Sequence, residues 1–161
     1  MIKIIQAEPF HIYTIDAKKE VYGDFSKQMG SVHEAILAGP SVTLCLPNGD
    51  SLAIIGAMML YKGVAEVWAI TSERCLKYPV AFHKAVKSVL EKFVKEHNIR
   101  RIQIYVRADY EQGYRWAESL GFKPEGVLAS NYERETSVIV ETDSVYPCNV
   151  LSIISKGVLY D

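Results

Sequence analysis

Between Val64 and Val106 the chain changes hydrophobic period twice, and the order of those changes leaves few folds open. Val64-Ala65-Glu66-Val67-Trp68-Ala69-Ile70-Thr71 is a strand pattern rich in β-branched and aromatic residues. A polar loop, Ser72 to Tyr78, follows it. From about Pro79 to His97, Phe82, Val86, Val89, Leu90 and Phe93 recur at helical spacing on one face. Lys84, Lys87, Glu91, Lys92 and Lys95 fill the other face, and Asn98 suits the helix C-terminus. Ile99 to Val106 then returns to strand period through Ile102, Ile104 and Val106. Two strands joined by such a helix must cross over, so they are expected to lie parallel in one sheet. A shorter helix, about Tyr110 to Leu120, should end at a left-handed Gly121 ahead of Phe122.

The flanking segments extend this unit. Ile2 to Ala7 reads as a first strand, and Pro9 suits the first turn of a helix running to about Glu20. Tyr22 to Gly30 is a connection. Ser31-Val32-His33-Glu34 has capping-box form and opens a short helix that stops at Gly39-Pro40. Val42, Leu44 and Leu46 alternate, Pro47-Asn48-Gly49-Asp50 is a hairpin turn, and Leu52 to Tyr61 is a long apolar strand. Lys62-Gly63 turns that strand into Val64–Thr71, which makes an antiparallel meander. After Gly126, Val127–Tyr132, Ser137–Glu141 and Val150–Ser155 are strand-like, with their pairing left open. The expected class is a mixed α/β fold, with helices on both faces of one mostly antiparallel sheet.

The 161 residues suit one domain spanning the chain, with no repeats or linkers. A net charge of -1 offers no bulk attraction for nucleic acid or an anionic membrane. No apolar run approaches the ~20 residues of a transmembrane helix, and Met1-Ile2-Lys3-Ile4-Ile5 lacks signal-peptide anatomy. Cys45, Cys75 and Cys148 are odd in number and show no CxxC spacing, which suits free thiols in a reducing compartment. A cytoplasmic protein is expected. His11, His33, His83 and His97 show no metal-ligand spacing, so no metal is expected either.

The start of a helix that follows a strand is an anion site, because unpaired N–H groups and the helix dipole point outward there. Gly56 within the third strand, the strand-to-helix unit at 64–97, and Arg115-Trp116-Ala117-Glu118-Ser119-Leu120-Gly121-Phe122 together resemble the GNAT (Gcn5-related N-acetyltransferase) superfamily. The resemblance covers most of the chain. It implies a three-layer fold with a V-shaped splay between the fourth and fifth strands, and acyl-CoA lying in that splay. Pantetheine would pair with the fourth strand around Trp68, Ala69 and Ile70, and Thr71 after them could hydrogen-bond a carbonyl or phosphate. The pyrophosphate would meet the loop that matches the family's Q/R-x-x-G-x-G/A pattern, here Arg74-Cys75-Leu76-Lys77-Tyr78-Pro79, with Val80 next. Arg74 fits that pattern. Lys77 and Pro79 replace both glycines; Lys77 could supply charge, whereas Pro79 removes a donor.

The resemblance also locates catalytic candidates. The family's general-acid tyrosine falls at Ala117, and a common asparagine falls at Tyr110. Tyr110 or Tyr114 could substitute, or each could simply pack at the core edge. Glu66 is the general-base candidate, on the same strand face as Trp68 and Ile70; the alternative is a strand-end glutamate paired with a lysine or exposed. Ser72 could bind a carbonyl or phosphate, or cap a turn. Cys75 lies where a thiolate could be stabilised, without an evident histidine base.

Trp68-Ala69-Ile70-Thr71-Ser72, with no glycine pair before a Lys-rich helix, is similar to GNAT-like proteins of short-tailed bacteriophages, some of them internal virion or assembly proteins. Two functions are therefore expected. One is N-acetyltransfer from acetyl-CoA to a small-molecule or protein amine. The other is a non-catalytic role in phage assembly or host takeover through a protein partner. The C-terminal strands leave room for a strand-exchanged homodimer.

Overall fold

The computed structural model describes residues 1–22, 24–128 and 148–154. Among the described residues, seven strands form one sheet: β1 (Lys3–Gln6), β2 (Ser41–Cys45), β3 (Ser51–Tyr61), β4 (Val64–Thr71), β5 (Arg101–Arg107), β6 (Lys123–Leu128) and β7 (Cys148–Ile154). Their spatial order is β1-β2-β3-β4-β5-β7-β6. All neighbours are antiparallel except β4 and β5, which are parallel as the crossover requires. The helices are α1 (His11–Thr14), α2 (Lys19–Tyr22), α3 (Met29–Ala38), α4 (Pro79–Glu96) and α5 (Glu111–Ser119).

Each face of the sheet carries its own core. On one side Phe82, Val86, Val89, Leu90 and Phe93 of α4 pack on Ala65, Val67 and Ile102, joined by Ala117 and Phe122. On the other, Ile12, Ile15, Tyr22, Val32, Ala35 and Ile36 pack on Ile54, Trp68 and Ile70. β4 alternates between the two, as a central strand must. The chain reversals follow backbone demand: Gly121 (φ 102°) and Asn98 (φ 49°) close α5 and α4 in the left-handed region.

Two local expectations are overturned, and one left open is settled. No single helix runs from Pro9 to Glu20; Ile15 is extended (ψ 132°) and separates α1 from α2. The cause is pairing with the end of β4: the Lys18 N–H donates to Thr71 O at 3.0 Å, and Ala17 bridges Ser72. Ser31 does not cap α3. That helix begins at Met29, entered through a 3₁₀ turn at Phe25–Gln28 whose own cap is Asp24, so Ser31 sits inside it. The C-terminal pairing left open in the sequence is non-local: β7 inserts between β5 and β6, matching Leu151 to Ile104 and to Pro124. The strand expected at Ser137–Glu141 lies outside the described residues.

Candidate active site

The parallel ladder between β4 and β5 is short. It pairs Val64 with Arg101, Ala65 with Ile102 and Glu66 with Gln103, and the strands then part. Past Glu66, one edge of β4 therefore has no strand beside it among the described residues. Ser72 N–H donates to Leu52 O, and backbone groups alternate sides along a strand, so the even-numbered residues of β4 turn their N–H and C=O toward β3. Val67, Ala69 and Thr71 turn theirs into the opening.

This alternation divides the candidate strand residues. Ala69 and Thr71 present backbone groups to the splay, whereas those of Trp68 and Ile70 face β3. The side chains of Trp68 and Ile70 belong to the core beneath α1–α3. Glu66 shares that face and is 4% exposed, at the vertex where the strands separate. Gln103, Tyr105 and Arg107 follow on the corresponding face of β5, with Gln103 Nε2 donating to Tyr105 Oη at 3.3 Å and Arg107 paired with Asp109.

The edge of β4 already has an occupant. The Tyr22 hydroxyl, carried by α2, donates to Ala69 O at 3.0 Å and accepts the Thr71 N–H at 3.1 Å. Thr71 Oγ1 lies 3.3 Å from the same oxygen. Burial pushes the Tyr22 phenol up to about 12, against those hydrogen bonds, with Tyr110 and Cys75 adding to the rise. Tyr110 is thus brought to the neighbourhood of Tyr22, its ring lying over Gly113, where a Cβ would meet it at 2.3 Å. Tyr114 is directed elsewhere, against the α4-side core, where Ala117 is also buried.

The loop after β4 is a 3₁₀ helix, Glu73–Lys77. Its amides are turned inward: Glu73 N–H to Asp16 O, Arg74 N–H to Ser72 Oγ, Cys75 N–H to Ser72 O and Tyr78 N–H to Cys75 O. Ser72 is a fully buried turn cap. Pro79 occupies the first position of α4, and Phe82 N–H already bonds Tyr78 O, so Val80 and Ala81 supply the outward amides of that helix start. Arg74 reaches Asp50 at 4.0 Å, and Lys77 is exposed. Burial raises the Cys75 thiol, with the nearby Lys18 ammonium opposing it. Among the described residues no group of three or more His, Cys, Asp or Glu is placed to hold a metal ion. None of the helices there is long and apolar enough to cross a membrane.

No family model and no curated protein matches this chain. Solved structures do. A GNAT-family acetyltransferase from Bacillus anthracis superposes with a TM-score of 0.71 at 13% identity, covering 95% of this chain and 94% of that one. A chimera of the spermidine N-acetyltransferase SpeG from Vibrio cholerae with hSSAT gives a TM-score of 0.72 at 11% identity, covering 95% of each chain. A mutant form of SpeG gives 0.68 at 13%, covering 99% of this chain and 96% of that one. The fold is that of the GNAT acetyltransferases.

Acyl-CoA is the cofactor that fold implies; Val80 and Ala81 N–H and the exposed Lys77 suit its phosphates, while in this conformation the strand edge is engaged within the chain. Tyr22 holds two of the edge groups that an extended amide chain would need, and the 3₁₀ loop has its own amides engaged. Sequence reasoning missed Tyr22 because it lies 47 residues from Ala69, in a segment with no motif, and nothing local marks its hydroxyl as a strand-edge partner.

Proposed function

We propose that the chain is an N-acetyltransferase of GNAT type, moving an acetyl group from acetyl-CoA to a small-molecule or protein amine. The reading is supported by the fold and carried by the position of Glu66. That carboxylate is buried on the α1–α3 face at the vertex of the β4–β5 opening, where an amine entering from that side would meet it. Its role is to take the proton of the ammonium form, which frees the nitrogen lone pair. The Ala69 N–H, which lies past the last β4–β5 pair, is an edge donor close to the vertex. The spermidine N-acetyltransferases among its structural neighbours suggest amine acceptors as the first class to assay.

A second reading is a GNAT-fold protein without turnover, working through protein contacts in phage assembly or host takeover. It is favoured by the loop itself, where Leu76, Tyr78 and Val80 are 50%, 39% and 67% exposed at the place the resemblance reserves for phosphates. Calorimetric titration with acetyl-CoA separates the two. Absence of binding at millimolar cofactor would sink the enzyme reading. With binding established, Glu66→Gln should abolish turnover at nearly unchanged affinity, and an active variant would remove Glu66 from the mechanism.

A further inference from the structure

The hydrogen bonds of Tyr22 have a specific pattern. A residue of a parallel neighbouring strand bonds the C=O of one residue and the N–H of the residue two further on. On the open edge of β4 those groups are Ala69 O and Thr71 N, and the Tyr22 hydroxyl engages both, as donor to the first and acceptor from the second. One oxygen thus replaces a whole strand residue. The segment that carries it is bound to the same strand end through Lys18 N–H to Thr71 O and Asp16 O to Glu73 N–H, while Gln28 Nε2 holds the Tyr22 carbonyl at 2.9 Å. The phenol is 6% exposed. It is seated in the core beneath α1–α3 and is not a surface side chain that has folded over the edge by chance.

We propose that Tyr22 is a built-in competitor for this edge, so that an extended amide-bearing ligand binds only by displacing its hydroxyl and thereby loosening the 16–22 segment. Tyr22 then sets both affinity and selectivity. A ligand must offer a donor and an acceptor with the spacing of a strand residue, as an acyl-CoA pantetheine arm does, to recover the two bonds it breaks. The ligand class rests on the acetyltransferase reading; the competition itself rests on the geometry.

The test is calorimetric titration of the full chain and its Tyr22→Phe variant with CoA and acetyl-CoA. Phenylalanine keeps the ring in the core and leaves Ala69 O and Thr71 N–H without their partner, so affinity should rise about 10-fold, the effect of one to two hydrogen bonds. Equal or weaker binding by a folded variant overturns the competitor role and leaves the acetyltransferase reading standing. Binding by neither protein overturns both. Should the variant not fold, hydrogen exchange on the unsubstituted protein decides: CoA must accelerate exchange of the Lys18 N–H, now bonded to Thr71 O. Unchanged or slower exchange in the complex overturns the proposal.

Discussion

Gly56 on β3 lies directly opposite Trp68 on β4, and a Cβ built on Gly56 would stand 2.3 Å from the indole ring. The ring occupies the space a side chain would take, which lets Trp68 be 3% exposed while its strand stays regularly paired from Ala65 to Thr71. Gly56→Ala should therefore force the indole aside and cost about 1–3 kcal/mol through overpacking. Chemical denaturation gives the loss, and tryptophan emission should shift with the displaced ring. Unchanged stability and emission would show that the ring has room to move.

His11 predicts a pH dependence. Its Nδ1 accepts the Glu8 N–H at 2.9 Å and lies 2.9 Å from Thr43 Oγ1, so the proton of the neutral ring resides on Nε2. Burial holds the imidazole below its ordinary 6.5, with the Glu8 charge opposing. The unfolded chain then binds the proton more readily than the folded one. The contribution of His11 to stability is full above pH 6.5 and is lost as pH falls through the lower, folded value. Denaturation midpoints between pH 7.5 and 5 should decline in the unsubstituted protein. His11→Asn, whose Oδ1 can accept the same N–H, should flatten that part of the profile; an identical decline would assign it to other groups.

Phe82 of α4 stacks on Trp116 of α5, with ring centroids 5.5 Å apart and planes 22° from parallel. This contact ties the long helix to the short one across the α4-side core. Phe82→Ala should cost about 3–5 kcal/mol, whereas Phe82→Leu should cost under about 1.5 kcal/mol beyond the lost stacking. Equilibrium unfolding of the two variants checks the ratio, and an alanine variant losing under about 1 kcal/mol would show that the site collapses to fill the cavity.

Pro79 removes a donor from the start of α4 at the point where an anion would approach. Pro79→Ala restores that N–H, and affinity for CoA should rise about 2- to 5-fold from the added donor at the helix start. Stability should change little, because proline at this position is tolerated but not required. Comparing CoA with pantetheine, which has no phosphates, isolates the effect. An equal gain for both would place the phosphates elsewhere.

The middle of this molecule was legible because its signals are local. The strand period of Val64–Thr71, the apolar stripe of Phe82 to Phe93 and the left-handed ends at Asn98 and Gly121 each follow from residues within a turn or two of one another. They were enough to require a parallel β4–β5 pair and a helix between them, and with Gly56 and the 115–122 segment to suggest the fold. The loop at 74–79 could likewise be read as lacking its glycines.

The contents of the site were not legible in the same way. Ile15 and Asp16 read as helix because their own neighbours allow it, yet the unpaired edge of β4 draws that stretch into extended pairing at Ala17 and Lys18. Which backbone groups of β4 face the opening depends on the register with β3, and so Trp68 and Ile70 separate from Ala69 and Thr71. The partner of those groups, Tyr22, is chosen by the packing of α2 against the sheet. Side-chain period is a property of a few adjacent residues, and the chain carries it wherever it folds. A strand edge is satisfied by whatever the whole fold brings within hydrogen-bonding distance, and here that is a phenol 47 residues away in the sequence.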